Sequence, residues 1–304
     1  MNLPPCRLLL GLIAWGCLAA PAWSSQDLPD ISAVAKELSI PKTSAGAPAA
    51  GARVRETTPG WDADEVHHML WLPEDWKPGV TYPVIFEYPG NGGHSDDFDG
   101  TPESCGLGYG LTAGHGYIWV SLPFIEVTEG KMSIAKKWWG DVEETKRYCR
   151  AAVKQIQTEY GGDPKRTLLA GFSRGAIACN FIGLHDDEIA KLWSAFFCHS
   201  HYDGVRTAWP YEGADRASAI KRLARLGERP QWISHEGSVE SVESYLQERV
   251  PKKQLTMRPL PYRNHTDAWV SCDLPIRNEA RAWLNKACPP NRTTKSALPK
   301  SSPK

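Results

Sequence analysis

One short run of this sequence has the residue types of a nucleophile held in a sharp turn. Gly171-Phe172-Ser173-Arg174-Gly175 stands between the apolar run Thr167-Leu168-Leu169-Ala170 and a second one, Ala176-Ile177-Ala178-Cys179-Asn180-Phe181. The first run reads as a strand and the second as a helix. In that setting the two glycines let strand and helix approach closely, the serine hydroxyl is pushed into the open, and the helix N-terminus favours developing negative charge. A serine hydroxyl is a poor nucleophile at neutral pH and needs a base within hydrogen-bond reach. Of nine histidines, His265 is the best placed, in the polar loop Pro261-Tyr262-Arg263-Asn264-His265-Thr266-Asp267 after the last strand-like run.

The elements that must carry these side chains follow from the pattern around them. Apolar, β-branched and aromatic runs predict strands over 68–72, 83–88, 117–122, 167–171, 193–198, 230–234 and 255–260. Longer amphipathic stretches predict helices over 141–160, 174–184, 216–226, 239–250 and 275–286. In the first of these helices Val142, Tyr148, Cys149, Val153 and Ile156 recur at near-helical spacing, and Gly161-Gly162 stops it. Strands alternating with helices mean a mainly parallel sheet covered on both faces.

Composition bounds the rest. Of 304 residues, Lys plus Arg and Asp plus Glu both number 35, so no net field favours nucleic acid or an anionic membrane, and a neutral or small partner fits better. Arg7, the apolar run 8–20, and small residues at Ala20 and Ala22 have the order of a secretory signal, which predicts a signal peptide over 1–24 and a secreted or periplasmic protein. The run is too short for a membrane span. Ala14-Trp15-Gly16-Cys17 lacks the large aliphatic residue expected three before a lipoprotein cysteine, which argues against anchoring at Cys17. Residues 25–60 read as a flexible lead-in rich in Ala, Ser, Pro and Gly, 61–288 as the folded domain, and 289–304 as a disordered basic tail. Export would allow Cys105, Cys149, Cys179, Cys198, Cys272 and Cys288 to oxidise, although Cys179 and Cys198 sit in apolar runs.

Asp163-Pro164-Lys165-Arg166 before the strand and Gly171-Phe172-Ser173-Arg174-Gly175-Ala176 after it resemble the polyhydroxybutyrate-depolymerase-like and feruloyl-esterase-like members of the α/β-hydrolase superfamily. The resemblance implies the α/β-hydrolase fold, Ser173 as nucleophile, His265 as base, and an acid between them in the chain. It implies cleavage of carboxylic esters through an acyl-enzyme, with a small-molecule or polymeric ester as partner and no cofactor. The segment expected to hold the acid, Trp232-Ile233-Ser234-His235-Glu236-Gly237-Ser238-Val239-Glu240, has no aspartate. Glu240 is the favoured acid, with Glu236 and, one strand earlier, Asp203 as alternatives. Glu87-Tyr88-Pro89-Gly90-Asn91-Gly92-Gly93 resembles the oxyanion loop of these relatives, so the backbone N–H of Arg174 and that of Asn91 or Gly92 are the expected donors.

His201, Tyr202 and Trp269 are expected at the substrate pocket, and Trp138 and Trp139 are the other tryptophans, of 13, expected to be least core-like. His199 with His201, and His94 with Asp96, Asp97 and Asp99, lack further ligands at recognisable spacing, so no metal is expected. Two other readings remain beside the esterase. One is a serine peptidase with the same residues, and the other is a non-catalytic binding protein on the same scaffold.

Overall fold

The computed structural model describes residues 27–62, 65–93 and 98–291. The expected signal peptide over 1–24 with Cys17, the residues His94, Asp96 and Asp97, and the tail from 292 lie outside the described residues. Among the described residues no helix is long and apolar enough to cross a membrane.

Strands β1 (Arg53–Glu56), β2 (His68–Trp71), β3 (Tyr82–Tyr88), β4 (Ile118–Ser121), β7 (Gly162–Phe172), β8 (Ala195–His199), β9 (Gln231–Glu236) and β10 (Leu255–Leu260) form one eight-stranded sheet, while β5 (Ile125–Thr128) and β6 (Lys131–Ile134) make a separate hairpin. The sheet order is β1-β2-β4-β3-β7-β8-β9-β10, antiparallel at the β1-β2-β4 edge and parallel from β4 to β10. The inner strands bury both faces, as a parallel sheet must. In β3, Val84, Phe86 and Tyr88 face one core and Ile85 the other, and Leu169 faces away from Leu168 and Ala170.

Helices α2 (Val142–Glu159), α3 (Arg174–Phe181), α5 (Arg216–Leu223) and α6 (Glu240–Leu246) contribute Tyr148, Cys149, Val153, Ile177, Phe181, Leu223 and Leu246 to the first core. The short α4 (Asp187–Ala190) adds Ile189 to it. On the opposite face, α1 (Leu107–Thr112) and α7 (Pro275–Ala287) bury Leu107, Leu111, Ala280 and Leu284. Each such leucine, removed from water, contributes about 1.5–3 kcal/mol. Asp141 caps α2 by accepting the Glu144 N–H at 2.9 Å, and Gly161 at φ 78° ends the turn that follows.

The segment 27–60, expected to be flexible, instead lies against the domain. Ile31, Val54 and Thr58 are buried, and β1 belongs to the main sheet. Small and polar residues concealed its few apolar anchors. The first tail residues are likewise held, because Arg166 donates to Pro289 O at 2.7 Å and to Asn291 Oδ1 at 3.1 Å. All six described cysteines are free buried thiols.

Candidate active site

Strand β7 ends at Phe172 and α3 begins at Arg174, leaving Ser173 alone in the turn with φ 55° and ψ −116°. A non-glycine residue rarely adopts that conformation, and it persists only where surrounding packing enforces it. The flanking glycines permit it: a Cβ on Gly171 would lie 2.1 Å from the carbonyl carbon of Gly175, and one on Gly175 would lie 2.0 Å from Tyr88 O. The turn thus brings β7, α3 and the end of β3 into contact.

His265 comes from the loop after β10 and accepts the Ser173 hydroxyl at Nε2, 2.9 Å away. Its Nδ1 donates to Ser200 Oγ at 2.7 Å and lies 3.4 Å from Glu236 Oε1. The Ser200 hydroxyl is 2.8 Å and 3.0 Å from the two Glu236 oxygens and donates to that carboxylate. This direction of bonding places the proton on Nδ1 and the lone pair of Nε2 toward Ser173, as a base requires. Ser200 is buried and sits at φ 81°, just beyond the end of β8.

The carboxylate reaching the imidazole is therefore Glu236, the last residue of β9, and not the favoured Glu240. Glu240 opens α6 as an exposed residue, one helical turn removed from the strand end. Asp203 is engaged elsewhere: it is buried and accepts from Arg222 Nε at 2.8 Å and from a terminal guanidinium nitrogen at 3.1 Å. Burial pushes the Glu236 carboxyl up, but the His265 hydrogen bond and the imidazoles gathered around it outweigh that and hold it well below the ordinary range.

A second network fixes the loop that carries the base. Trp232 Nε1 donates to Ser234 Oγ at 3.2 Å, Ser234 donates to His199 Nδ1 at 3.0 Å, and His199 Nε2 donates to Thr266 O at 3.1 Å. Burial pushes His199 down to about 4, which keeps it neutral, and the Thr266 carbonyl at Nε2 sets the tautomer. Trp269, expected at the pocket, is fully buried behind this network, with its ring centroid 5.4 Å from that of His199. Tyr202 is buried as well, its hydroxyl donating to Gln231 Oε1 at 2.9 Å, so it forms the floor of a cavity rather than its rim.

On the other side of Ser173 runs the glycine-rich loop after β3. A Cβ on Gly90 would lie 3.3 Å from Phe172 Cδ1 and 3.6 Å from Ser173 Cβ, so this backbone runs close beside the turn. The Gly92 N–H, one of the two expected second donors, is committed to Lys136 O at 2.8 Å. Asn91 is fixed by its side chain, whose Oδ1 accepts the Trp138 N–H at 2.9 Å. The Arg174 N–H opens a helix and has no acceptor within it.

The Arg174 side chain has a role that sequence reasoning missed. Its guanidinium is buried, 4.1 Å from the centroid of the Phe124 ring, and donates to five carbonyls: Pro89, Gly90, Gly100, Ala135 and Trp138, at 2.7–3.4 Å. It ties the glycine-rich loop after β3 to the segment 135–138. Only the position of an arginine beside Ser173 signalled this. Trp138 is half-buried and Trp139 buried, and Trp138 packs on Trp209 at a centroid distance of 5.2 Å.

No protein-family model matches the chain, and no curated protein matches it. Among solved structures it is similar to an esterase from Rhizomucor miehei, with 14% identity, TM-score 0.53, and coverage of 77% of this chain and 82% of the other. Esterase 2 of Thermogutta terrifontis is similar at 14% identity and TM-score 0.52, covering 79% and 94%. Porphyromonas gingivalis dipeptidyl peptidase 4 is similar at 14% identity and TM-score 0.54, and there the chain covers 79% of itself but 36% of the other. Against another dipeptidyl aminopeptidase-type chain, from Bacteroides ovatus, it spans 33% of that chain's length. The chain has the α/β-hydrolase fold, which its structural neighbours use for esterase and peptidase chemistry.

Proposed function

We propose that the protein is a serine hydrolase that cleaves carboxylic esters through an acyl-enzyme. One observation carries the reading: Ser173, held at φ 55°, donates at 2.9 Å to an imidazole whose other nitrogen is engaged by Ser200 and, through it, by Glu236. In this reading Ser173 Oγ attacks the ester carbonyl carbon and its proton passes to His265 Nε2. The carbonyl oxygen takes the negative charge and accepts from the Arg174 and Asn91 N–H groups. Collapse of that intermediate breaks the bond to the alcohol, which leaves with the proton from His265. Water then attacks the acyl-serine by the same route, and the carboxylic acid departs. Glu236 keeps the imidazole in its working tautomer and stabilises the imidazolium, partly through the Ser200 hydroxyl.

The ester reading is favoured over an aminopeptidase by the groups beside the base. A peptide N-terminus is a cation and calls for carboxylates, whereas the adjoining cavity offers Arg206, His201 and His235, and its one carboxylate, Glu236, is occupied by Ser200 and His265. Polymer- or carbohydrate-linked esters, of the kind handled by polyhydroxybutyrate-depolymerase-like and feruloyl-esterase-like enzymes, fit the resemblance at 163–176. The signal pattern around Arg7 supports action outside the cytoplasm.

The test is labelling of the purified protein by a fluorophosphonate probe beside Ser173→Ala, with turnover of short-chain p-nitrophenyl esters and of matched p-nitroanilides. Labelling and ester turnover both lost in the variant support the reading. A folded wild-type protein that neither labels nor turns over esters overturns it in favour of a binding scaffold, and preferential anilide cleavage favours the peptidase.

A further inference from the structure

A cavity of about 340 Å³ opens beside the base, lined among others by Ser200, His201, Arg206, Trp209, His235 and Glu236. Its wall is an aromatic relay. The His201 ring stands 5.1 Å from that of His265 and 5.4 Å from that of Trp209, and Trp209 in turn packs 5.2 Å from Trp138, whose backbone N–H donates to Asn91 Oδ1. Trp209 thus bridges the base side of the site and the oxyanion side. The Arg206 guanidinium lies 4.0 Å over the centroid of the Trp209 ring.

Arg206 is exposed, and among the described residues it has no carboxylate partner. Its neighbours on the cavity wall include the hydroxyl-bearing Ser238 and Ser241. The Glu236 carboxylate, which would oppose a bound anion, is engaged by Ser200 and sits among three imidazoles. Burial leaves His201 neutral, pushed down to about 4, so at neutral pH the fixed cation of this wall is Arg206. A guanidinium anchored on an indole face is pre-organised to bind a carboxylate through two parallel N–H groups.

The position of the cavity says which part of a substrate enters it. In ester cleavage the departing alcohol takes its proton from His265, so the alcohol portion must lie on the imidazole side of Ser173. That is the side lined by His201 and His235, and the volume suits one ring with a small substituent. Resting on the ester-hydrolase reading above, we propose that this cavity receives the alcohol portion of the substrate and that Arg206 there binds a carboxylate carried on it. The preferred substrate class is an ester of a ring-bearing hydroxy acid, cleaved on its hydroxyl side.

The test compares 4-acetoxybenzoate with its neutral counterpart 4-acetoxybenzamide in wild type and in Arg206→Gln. The ratio of kcat/KM for the anionic to the neutral ester falls about fivefold in the variant, and falls likewise in wild type on adding salt. With mono(4-nitrophenyl) adipate against 4-nitrophenyl hexanoate, where the carboxylate is on the acyl side, the ratio stays the same in both proteins. An unchanged first ratio, or a change confined to the second pair, overturns the proposal. The fluorescence of the wild-type tryptophans on titration with 4-hydroxybenzoate and 4-hydroxybenzamide reads binding without turnover. Quenching by the acid that Arg206→Gln weakens supports the carboxylate site even in a protein that hydrolyses neither ester, and equal response to both compounds overturns it.

Discussion

Asp30 Oδ1 accepts a hydrogen bond from Asn264 Nδ2 at 3.2 Å, one residue before His265. The contact is one of several between the lead-in and the loop of His265. Arg263 pairs with Asp30 at 3.2 Å, the Arg263 N–H donates to Pro29 O at 2.9 Å, and the Ile31 N–H donates to Arg263 O. Asn264 itself sits at φ 91°. The segment therefore braces the loop that carries His265.

Removing this brace should act on turnover more than on folding. Asp30→Ala is expected to lower kcat by no more than about fivefold, because each contact is exposed to solvent, while the thermal midpoint hardly moves. Steady-state kinetics with a p-nitrophenyl ester beside a thermal scan checks this, and unchanged kcat would show that the loop holds its own shape.

Ser200 and Glu236 should differ in cost. Glu236→Gln removes the charge that stabilises the imidazolium and is expected to lower kcat by three or more orders of magnitude. Ser200→Ala leaves the carboxylate 3.4 Å from Nδ1 but deletes one charge-assisted bond of about 1.5–3 kcal/mol, so kcat should fall roughly ten- to hundredfold. Pre-steady-state acylation rates of both variants decide the order. Equal losses would mean that the hydroxyl is as necessary as the acid.

Arg174→Lys keeps a cation but cannot span five carbonyls. The oxyanion loop should loosen, with kcat down about a hundredfold and KM moved less. The buried acceptors left without donors should cost at least about 3 kcal/mol of stability. Denaturant unfolding and ester kinetics read the two effects separately, and a Lys variant matching wild type in both would remove the guanidinium from the account.

Stability should weaken on mild acidification. Burial lowers His199 and His201 from 6.5 to about 4 and His68 to about 3, so the unfolded chain binds protons that the folded chain refuses. Their contribution is complete above 6.5 and is lost as pH falls toward 4 and then 3. Glu236, held below its ordinary 4.5, adds a loss of the same sign below that value. Thermal midpoints measured from pH 8 to 4 should be level and then decline from about 6.5, with a shallower decline in His199→Gln. A level midpoint down to pH 4 would contradict this.

The sequence by itself determined the parallel core and the turn at Ser173, because each rests on local pattern, and the position of His265 after the last strand-like run pointed to the imidazole that stands 2.9 Å from Ser173 Oγ. Strand β10 matches its predicted bounds, and α2 and α7 come within a residue or two of theirs. Helix α1 was illegible, since Gly108 and Gly110 are poor helix formers. They are there because a Cβ on either would lie 2.2 Å from Trp119 or Val270, and the helix is instead capped by the buried Glu87 carboxylate, which accepts the Gly106, Leu107 and Gly108 N–H groups. Which carboxylate serves His265 was decided only by tertiary structure. Glu236 and Glu240 are four residues apart in one acidic stretch, and the end of β9, with Ser200 crossing from β8, points one at the base and leaves the other in water. Ser200, the Arg174 side chain and the Asp30 brace were hidden for the same reason: each acts on a partner brought near by the sheet, and no periodicity in the chain records such contacts.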